Sequence, residues 1–340
     1  MVGCGICHCK DSVELDPGDF SVFLINSSAP SQSETQFTYV PSRRTSRTAP
    51  VVGAAYHHPL LITLSESFGL CIYDLSTDQV KLVQTLTSFS SYPPTSLVLS
   101  APSTDTYKLV LAHTIPVYPS HWSVAATEFM ISGPESSQPS VSTPTSFLVS
   151  APEFVPLSIM STRRTRAIDI PQGWIDDQKL RLIHEQASRK VLRVADTQTD
   201  GKWVVLAPAD HPLVSSPQPR SSFTSPSSHS QTNLQLYRLS LPPPVSIASS
   251  KPKLTFVRTL GGQTGPISAI SVSDGRCVSL GQNGSIWVWD LESGTEGAQV
   301  SGPRTDTSSK GSPARGTVTF DDRRIITSEG GKTVVRRFDI

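Results

Sequence analysis

Short runs of alternating apolar and polar residues, separated by turn residues, mark the C-terminal third of the chain. Residues 267–272 alternate in this way, and two further apolar runs follow at 277–280 and 286–291. Ser273-Asp274-Gly275 and Gln282-Asn283-Gly284 separate the three runs. Asn-Gly between apolar runs is typical of a hairpin with a type I′ turn, which needs φ > 0 at both central residues. The pattern therefore predicts a three-stranded antiparallel meander.

The same kind of strand recurs along the chain, which indicates a repeated unit. The clearest copy ends in Trp287-Val288-Trp289-Asp290, the ending typical of a propeller blade. One blade cannot bury both of its faces, so further blades are expected. The candidate third strands of blades are 20–25, 69–75, 122–131, 166–170, 233–239, 285–291 and 333–340. We therefore predict an all-β fold, a WD40-type β-propeller of seven blades, some of them degenerate, over residues 1–340 as one domain.

The two ends of the chain predict an incomplete ring. No outer strand follows the last candidate strand, and residues 3–9 and 20–25 match only the second and third strands of a first blade. Because a propeller avoids exposed sheet edges by closing on itself, we expect the propeller to be incomplete at its N-terminus.

A helical pattern interrupts the strands once. Ile175, Leu180, Ile183 and Ala187 are spaced close to a helical stripe, which predicts an inserted amphipathic helix within residues 172–191. Such a helix either packs against a blade edge or binds a partner. Serine and proline dominate three other stretches, which predicts a disordered loop at 208–231 and flexible loops at 132–146 and 303–313.

Bulk properties exclude several classes of protein. The 340 residues carry a formal net charge of +1, so no overall field attracts nucleic acid or a membrane surface. No apolar run approaches the ~20 residues of a membrane span, and the first ten residues lack the apolar core of a secretory signal. We therefore expect a cytoplasmic or nuclear location, reduced cysteines, and neither nucleic-acid nor membrane partners.

Candidate chemistry is sparse. Cys4, Cys7, His8 and Cys9 include a Cys-x-x-Cys spacing, but a strand would place Cys7 and Cys9 on one face and Cys4 and His8 on the other. No nucleophile elbow, phosphate-binding glycine loop or His-Glu-x-x-His motif occurs. The sequence predicts no metal site, no cofactor and no enzymatic activity.

Two arginine clusters are candidate contacts for a protein partner. One consists of Arg163, Arg164 and Arg166, and the other lies between residues 43 and 47. Guanidinium groups suit phosphate or acidic peptides, although arginines in solvated loops would give the same pattern.

The meander and the segment after it resemble a known family. GQTGPISAISVSDGRCVSLGQNGSIWVWD and VTFDDRRIITSEGGKTVVRRFDI resemble the last two WD40 blades of F-box/WD-repeat proteins, and residues 50–86 resemble another blade. The resemblance implies a substrate receptor of a cullin-based ubiquitin ligase, whose F-box binds a Skp1-type adaptor and whose propeller binds the substrate. No segment of these 340 residues matches an F-box, so that segment is expected upstream. The alternative is a WD40 scaffold unrelated to ubiquitination.

The resemblance also implies where a partner would bind. Relatives that read phosphorylated peptides carry arginines at the positions of Ser268, Gln282, Gly316 and Gly330. Ser268, Gln282 and Gly316 are therefore candidate partner-binding residues, together with the cluster Arg163, Arg164 and Arg166. The absence of those arginines predicts a mode of recognition other than a phosphate pocket.

Overall fold

The structure, a computed structural model, describes the backbone of three N-terminal strands and most of the chain from residue 49. The described residues are 3–6, 20–25 and 34–39, and, with side chains, 49–76, 80–103, 105–117, 120–133, 157–168, 173–209, 233–242, 251–263, 265–302, 316–329 and 331–337.

Six sheets, each a meander of consecutive strands, make up the described fold. The first contains β1 (Gly3–Ile6), β2 (Phe20–Ile25) and β3 (Glu34–Tyr39). The second contains β4 (Val51–His57), β5 (Leu60–Ser65), β6 (Gly69–Asp74) and β7 (Lys81–Thr87). The third contains β8 (Tyr92–Ser103), β9 (Thr106–Val117), β10 (His121–Ser132) and β11 (Ser158–Arg166).

The C-terminal half continues the same pattern. The fourth sheet contains β12 (Val194–Thr199), β13 (Trp203–Pro208), β14 (Leu234–Ser240) and β15 (Lys253–Leu260). The fifth contains β16 (Ile267–Ser273), β17 (Arg276–Gly281), β18 (Ile286–Asp290) and β19 (Ala298–Ser301). The sixth contains β20 (Thr317–Phe320), β21 (Arg324–Glu329) and β22 (Lys332–Arg337).

The prediction of a β-propeller is confirmed, but the prediction of seven blades is wrong. Five sheets, from β4 to β22, form blades with described side chains, and β1–β3 form a further backbone sheet. The excess comes from residues 166–170, for which the sequence predicts the third strand of a separate blade. Arg166 instead ends β11, which lies beside β10 in the third sheet. Two of the seven candidate strands thus belong to one blade.

The chain divides into two compact units, which share the third sheet. One comprises residues 1–91, 97–109 and 128–162, and the other 92–96, 110–127 and 163–340. In the first unit, Leu61, Tyr73 and Leu75 form a buried cluster. In the second, Leu234, Leu236 and Trp289 belong to a larger cluster that joins the fourth and fifth sheets. Alternate residues of each central strand supply these cores, as the period-2 pattern requires.

The helix, α1, runs from Asp177 to Ser188, inside the predicted 172–191. The Asp176 carboxylate caps it by accepting a hydrogen bond from the Lys179 N–H at 2.8 Å. None of its residues is buried. The predicted loops at 208–231 and 132–146 lie almost wholly outside the described residues, and 303–313 lies entirely outside them.

The meander at β16–β18 forms where it was predicted, although its turns differ in type. Asp274 and Gly275 have φ of 48° and 71°, so the two-residue type I′ turn lies there. At the second turn only Gly284 has positive φ, at 78°, and the Gly284 N–H donates to the Gly281 carbonyl at 2.9 Å. The Asn283 side chain completes this longer turn by accepting from the Ser285 N–H at 3.0 Å.

Candidate protein-binding site

Two of the predicted partner-binding residues are buried and bonded to each other. The Gly316 N–H donates to the Ser268 hydroxyl at 2.7 Å, which joins the start of the sixth sheet to β16 of the fifth. Ser268 is 7% exposed. A Cβ at position 316 would lie 2.8 Å from Leu280 Cδ2 and 2.9 Å from Ser268 Oγ. An arginine therefore does not fit at Gly316, and this pair acts between blades.

Gln282, unlike that pair, is exposed, and it lies in the β17–β18 turn. Its backbone N–H donates to the Pro266 carbonyl at 2.8 Å, which holds the turn against the start of β16. Gly330 and the cluster between residues 43 and 47 lie outside the described residues. The structure thus leaves Gln282 as the exposed member of the Ser268, Gln282 and Gly316 set.

The second arginine cluster lies on β11. Arg164 and Arg166 are exposed, whereas Arg163 is half-buried and its Nη1 donates to the Pro242 carbonyl at 2.7 Å. Partial burial, with Arg166 as a second cause, lowers the pKa of Arg164 from its usual value. Positions 164 and 166 share one side of an extended strand, so the structure brings these two arginines together and separates them from Arg163.

A cleft lined by aromatic residues, which the sequence did not indicate, lies between the fourth and fifth sheets. Its volume is about 630 Å³. It is lined by Arg258, Thr259, Leu260, Gly261, Gly262, Trp287, Trp289, Gly294, Thr295, Glu296 and Gly297. The cleft is therefore formed by the outer strand β15, the third strand β18 and the loop that follows β18.

Two stacked indoles form the apolar wall of the cleft. The rings of Trp287 and Trp289 lie 6.2 Å apart at an interplanar angle of 18°. Trp289 is buried and its Nε1–H donates to the Gly261 carbonyl at 3.0 Å, whereas Trp287 is half-buried. Gly262 has φ of 109°, and a Cβ there would lie 2.6 Å from Trp287 Cζ3. The glycine thus permits the backbone to approach the indole closely.

The rim of the cleft is polar and held in place. Arg258 Nη2 donates to the Asp290 carbonyl at 3.0 Å. The Asp290 carboxylate accepts from the N–H groups of Glu292 at 2.8 Å and Ser293 at 3.1 Å. The Ser293 and Glu292 hydrogen bonds lower the pKa of Asp290. Glu296, which also lines the cleft, is exposed, so the cleft offers both polar groups and indoles to an extended protein segment.

A buried amide lies just before β16. Gln263 is 3% exposed, and its Oε1 accepts a hydrogen bond from the Ser279 hydroxyl of β17. The amide thus links the segment before β16 to the centre of the blade.

Two titratable side chains of the second unit, His113 and Cys277, are buried inside the fold. His113 is fully buried, and burial lowers its pKa to about 4. Its Nδ1 contacts the Thr114 carbonyl at 3.2 Å and its Nε2 contacts the Thr127 hydroxyl at 3.3 Å. Burial also raises the pKa of the Cys277 thiol, which makes it a poor nucleophile.

Among the described residues, no three His, Cys, Asp or Glu side chains are grouped so as to hold a metal ion. Cys7, His8 and Cys9 lie outside them. The described part of the chain also contains no helix with the length and hydropathy of a membrane span.

Comparison with known proteins identifies the family. The model of the F-box protein pof12 β-propeller matches residues 10–316. The chain belongs to this family. The matched residues include the whole cleft as well as the Ser268–Gly316 pair, so both are features of this pof12-type propeller.

Solved structures and curated proteins add little to that assignment. The complex of KlAtg21 with the coiled-coil of AgAtg16 is 10% identical, with a TM-score of 0.41, and the match covers 94% of this chain and 73% of that one. The computationally designed Ika8 protein is also 10% identical, with a TM-score of 0.36, and the match covers 84% of this chain and 70% of that one. The search of curated proteins found no match.

Sequence reasoning missed the cleft because its parts are dispersed. Arg258 and Glu296 are 38 positions apart and neither belongs to a recognisable motif. One signal was present. Two tryptophans at alternate positions of β18 place two large rings on one side of the blade, beside the consecutive glycines 261 and 262.

Proposed function

We propose that this pof12-type propeller is the substrate-recognition part of an SCF-type ubiquitin ligase receptor. The observation that carries the proposal is the family match over residues 10–316, because the family is defined on the propeller of an F-box protein. In this proposal the propeller is a non-catalytic protein-binding domain without a cofactor. A Skp1-type adaptor would bind an F-box segment outside the propeller.

The cleft is the proposed place of substrate contact. It is lined by two indoles and by the charged residues Arg258 and Glu296. Such a surface favours an extended protein segment with an apolar anchor and polar flanks. The burial of Ser268 and Gly316 argues against a phosphate pocket at those positions, so we expect recognition without phosphorylation.

The first experiment tests the adaptor. The full-length gene product is tagged at its own locus and purified, and its partners are identified by mass spectrometry. We expect a Skp1-type adaptor and a cullin among them. If both are absent while other partners are recovered, the ligase role is wrong.

The second experiment tests the cleft. Thr259 is exposed and lines the cleft, so Thr259→Trp should fill the cleft without removing a core contact. We expect this variant to keep the adaptor, and to lose the partners whose abundance rises when the gene is deleted. Thr255→Trp is the matched control, because Thr255 is exposed on the same strand but does not line the cleft. Equal partner capture by both variants would place substrate binding elsewhere.

The second candidate function is a WD40-type scaffold or adaptor unrelated to ubiquitination. The cleft favours it as much as the first, because an aromatic cleft binds a protein segment whatever the fate of that protein. Partners that depend on Thr259 but whose abundance is unchanged by deletion of the gene would support the scaffold. A cytoplasmic or nuclear location is part of both proposals, and imaging of the tagged product tests it.

A further inference from the structure

Two charged side chains line the cleft, and the fold holds them differently. Arg258 is half-buried on β15, and its Nη2 donates to the Asp290 carbonyl at 3.0 Å. Its Nη1 lies against the loop that follows β18, because a Cβ at Gly294 would be 2.7 Å from that atom. Glu296 is exposed on the same loop. The guanidinium is therefore fixed in place, whereas the Glu296 carboxylate lies in solvent.

The fixed guanidinium has no carboxylate partner among the described residues. The Asp290 carboxylate accepts instead from the N–H groups of Glu292 and Ser293, and the Glu292 carboxylate contacts Lys202 Nζ. Arg258 Nε is buried and has no hydrogen-bond acceptor in the described part of the chain. Donors of a half-buried cation are costly when they have neither water nor an acceptor. An anionic group bound in the cleft would supply the missing partner.

The same cleft presents an indole ring to a ligand. Trp287 is half-buried, and its ring stacks on that of the buried Trp289. Four of the lining residues have no side chain, so a ligand in the cleft meets backbone groups and indole carbons. They are Gly261, Gly262, Gly294 and Gly297. Aromatic pairs gain free energy beyond the burial of their area, so we expect an aromatic side chain of the ligand to pack on Trp287.

The charges of the lining favour a carboxylate over a phosphate. A carboxylate carries one negative charge and matches the planar fork of a single guanidinium. A phosphorylated side chain carries about −1.5 to −2 at pH 7. Arg258 is the one cation among the lining residues, and Glu296 would repel the additional charge.

We propose that the cleft recognises an unphosphorylated protein segment in which an Asp or Glu carboxylate binds Arg258 and a nearby aromatic side chain packs on Trp287. The inference rests on the proposed role of the cleft as the place of substrate contact, and it names the class of substrate. It does not depend on the ligase role, because a scaffold would select the same class of segment through this cleft.

The test begins with a selection of short random peptides displayed on phage, with the full chain as bait. Peptides enriched by the parent but not by Thr259→Trp are the cleft ligands. We expect them to carry Asp or Glu close to Phe, Tyr or Trp. The strongest is synthesised with both termini blocked, so that only its side chains provide carboxylates, and its affinity is measured by calorimetry.

A double-mutant cycle then joins the peptide carboxylate to Arg258. Changing the peptide Asp or Glu to Asn or Gln should weaken binding to the parent about tenfold, since a charge-assisted hydrogen bond is lost. The same peptide change should alter binding to Arg258→Gln less than about twofold. Arg181→Gln is the matched control, because Arg181 is exposed on α1 and does not line the cleft, so the tenfold loss should persist. The change in the peptide leaves the fold of the parent untouched.

Each other outcome contradicts the proposal in its own way. If no peptide depends on the cleft, or if the Thr259→Trp bait enriches the same peptides, both this inference and the cleft as a place of substrate contact are wrong. If the cleft ligands lack a carboxylate, or if the carboxylate contributes equally with Arg258→Gln, the cleft remains a binding site but the class of substrate is wrong. A peptide with phosphoserine in place of the Asp or Glu that binds at least tenfold more tightly would overturn the proposal in favour of a phosphorylated segment.

Discussion

The sequence made both the Ser268–Gly316 pair and helix α1 candidates for partner binding, but the two regions differ in exposure. Ser268 and Gly316 sit in repeated blades, where the resemblance suggested ligand-reading positions, yet they are buried and hydrogen-bonded to each other. Helix α1 belongs to no repeat, and none of its residues is buried. Matching a repeat therefore locates structural positions well, whereas an insertion without that constraint is able to expose apolar residues such as Leu182.

Gly316→Arg should cause a large loss of stability. The Cβ of an arginine at this position would lie within 3 Å of Leu280 Cδ2 and Ser268 Oγ, and its charge would be buried. We expect the free energy of unfolding to fall by about 4 kcal/mol, through overpacking and an unpaired buried charge. Urea unfolding followed by tryptophan fluorescence measures this loss.

Gly302→Arg is the control for that substitution. Gly302 is exposed, and the nearest side-chain atom to a Cβ there is Gln299 Nε2 at 3.9 Å. Its stability should change by less than about 0.5 kcal/mol. If Gly316→Arg were as mild as this control, position 316 would be open to solvent and a ligand-reading role for it would return.

Local features were predictable from the sequence because they depend on neighbouring residues. Asp274 and Gly275 form a tight turn, since a two-residue hairpin requires the φ values that these residues adopt at little cost. Helix α1 was predictable from its 3.6-residue period and from Asp176 before its first turn.

Features that join distant residues were not predictable. Ser268 and Gly316 are 48 positions apart, and only the packing of the fifth sheet against the sixth shows that their hydrogen bond is buried. The predicted number of blades was wrong for the same reason. Strand β11 pairs with β10, which is distant in sequence, and the short apolar run at residues 166–170 does not reveal that pairing. The cleft depends on where β15 meets the loop after β18.

Histidine burial gives a second test of the difference between interior and surface. Burial lowers the pKa of His113 to about 4, below the usual 6.5, so between these values the unfolded chain binds a proton that the folded chain does not. The contribution of the neutral His113 side chain to the free energy of unfolding is therefore fully present above pH 6.5. It is lost as the pH falls from 6.5 towards 4. We expect the His113 contribution to fall by about 2 kcal/mol between pH 7 and pH 5.

The measurement compares urea unfolding at the two pH values in the parent and in His113→Gln, which keeps a polar side chain but cannot gain this charge. Between pH 7 and pH 5, the free energy of unfolding should fall by about 2 kcal/mol less in His113→Gln than in the parent. His184→Gln, which removes an exposed histidine of α1, should leave the difference in place. An equal pH dependence in the parent and in His113→Gln would show that His113 is reached by solvent.

The last prediction concerns helix α1, where we expect little change in stability. Leu182 is 45% exposed on α1, whereas Leu236 is fully buried in β14. Leu182→Ala should change the free energy of unfolding by less than about 0.5 kcal/mol, because alanine favours the helix and little packing is lost. Leu236→Ala leaves a cavity and should lower it by about 3 kcal/mol. If Leu182→Ala were as destabilising as Leu236→Ala in the isolated chain, the Leu182 side chain would be packed within the fold rather than exposed to solvent.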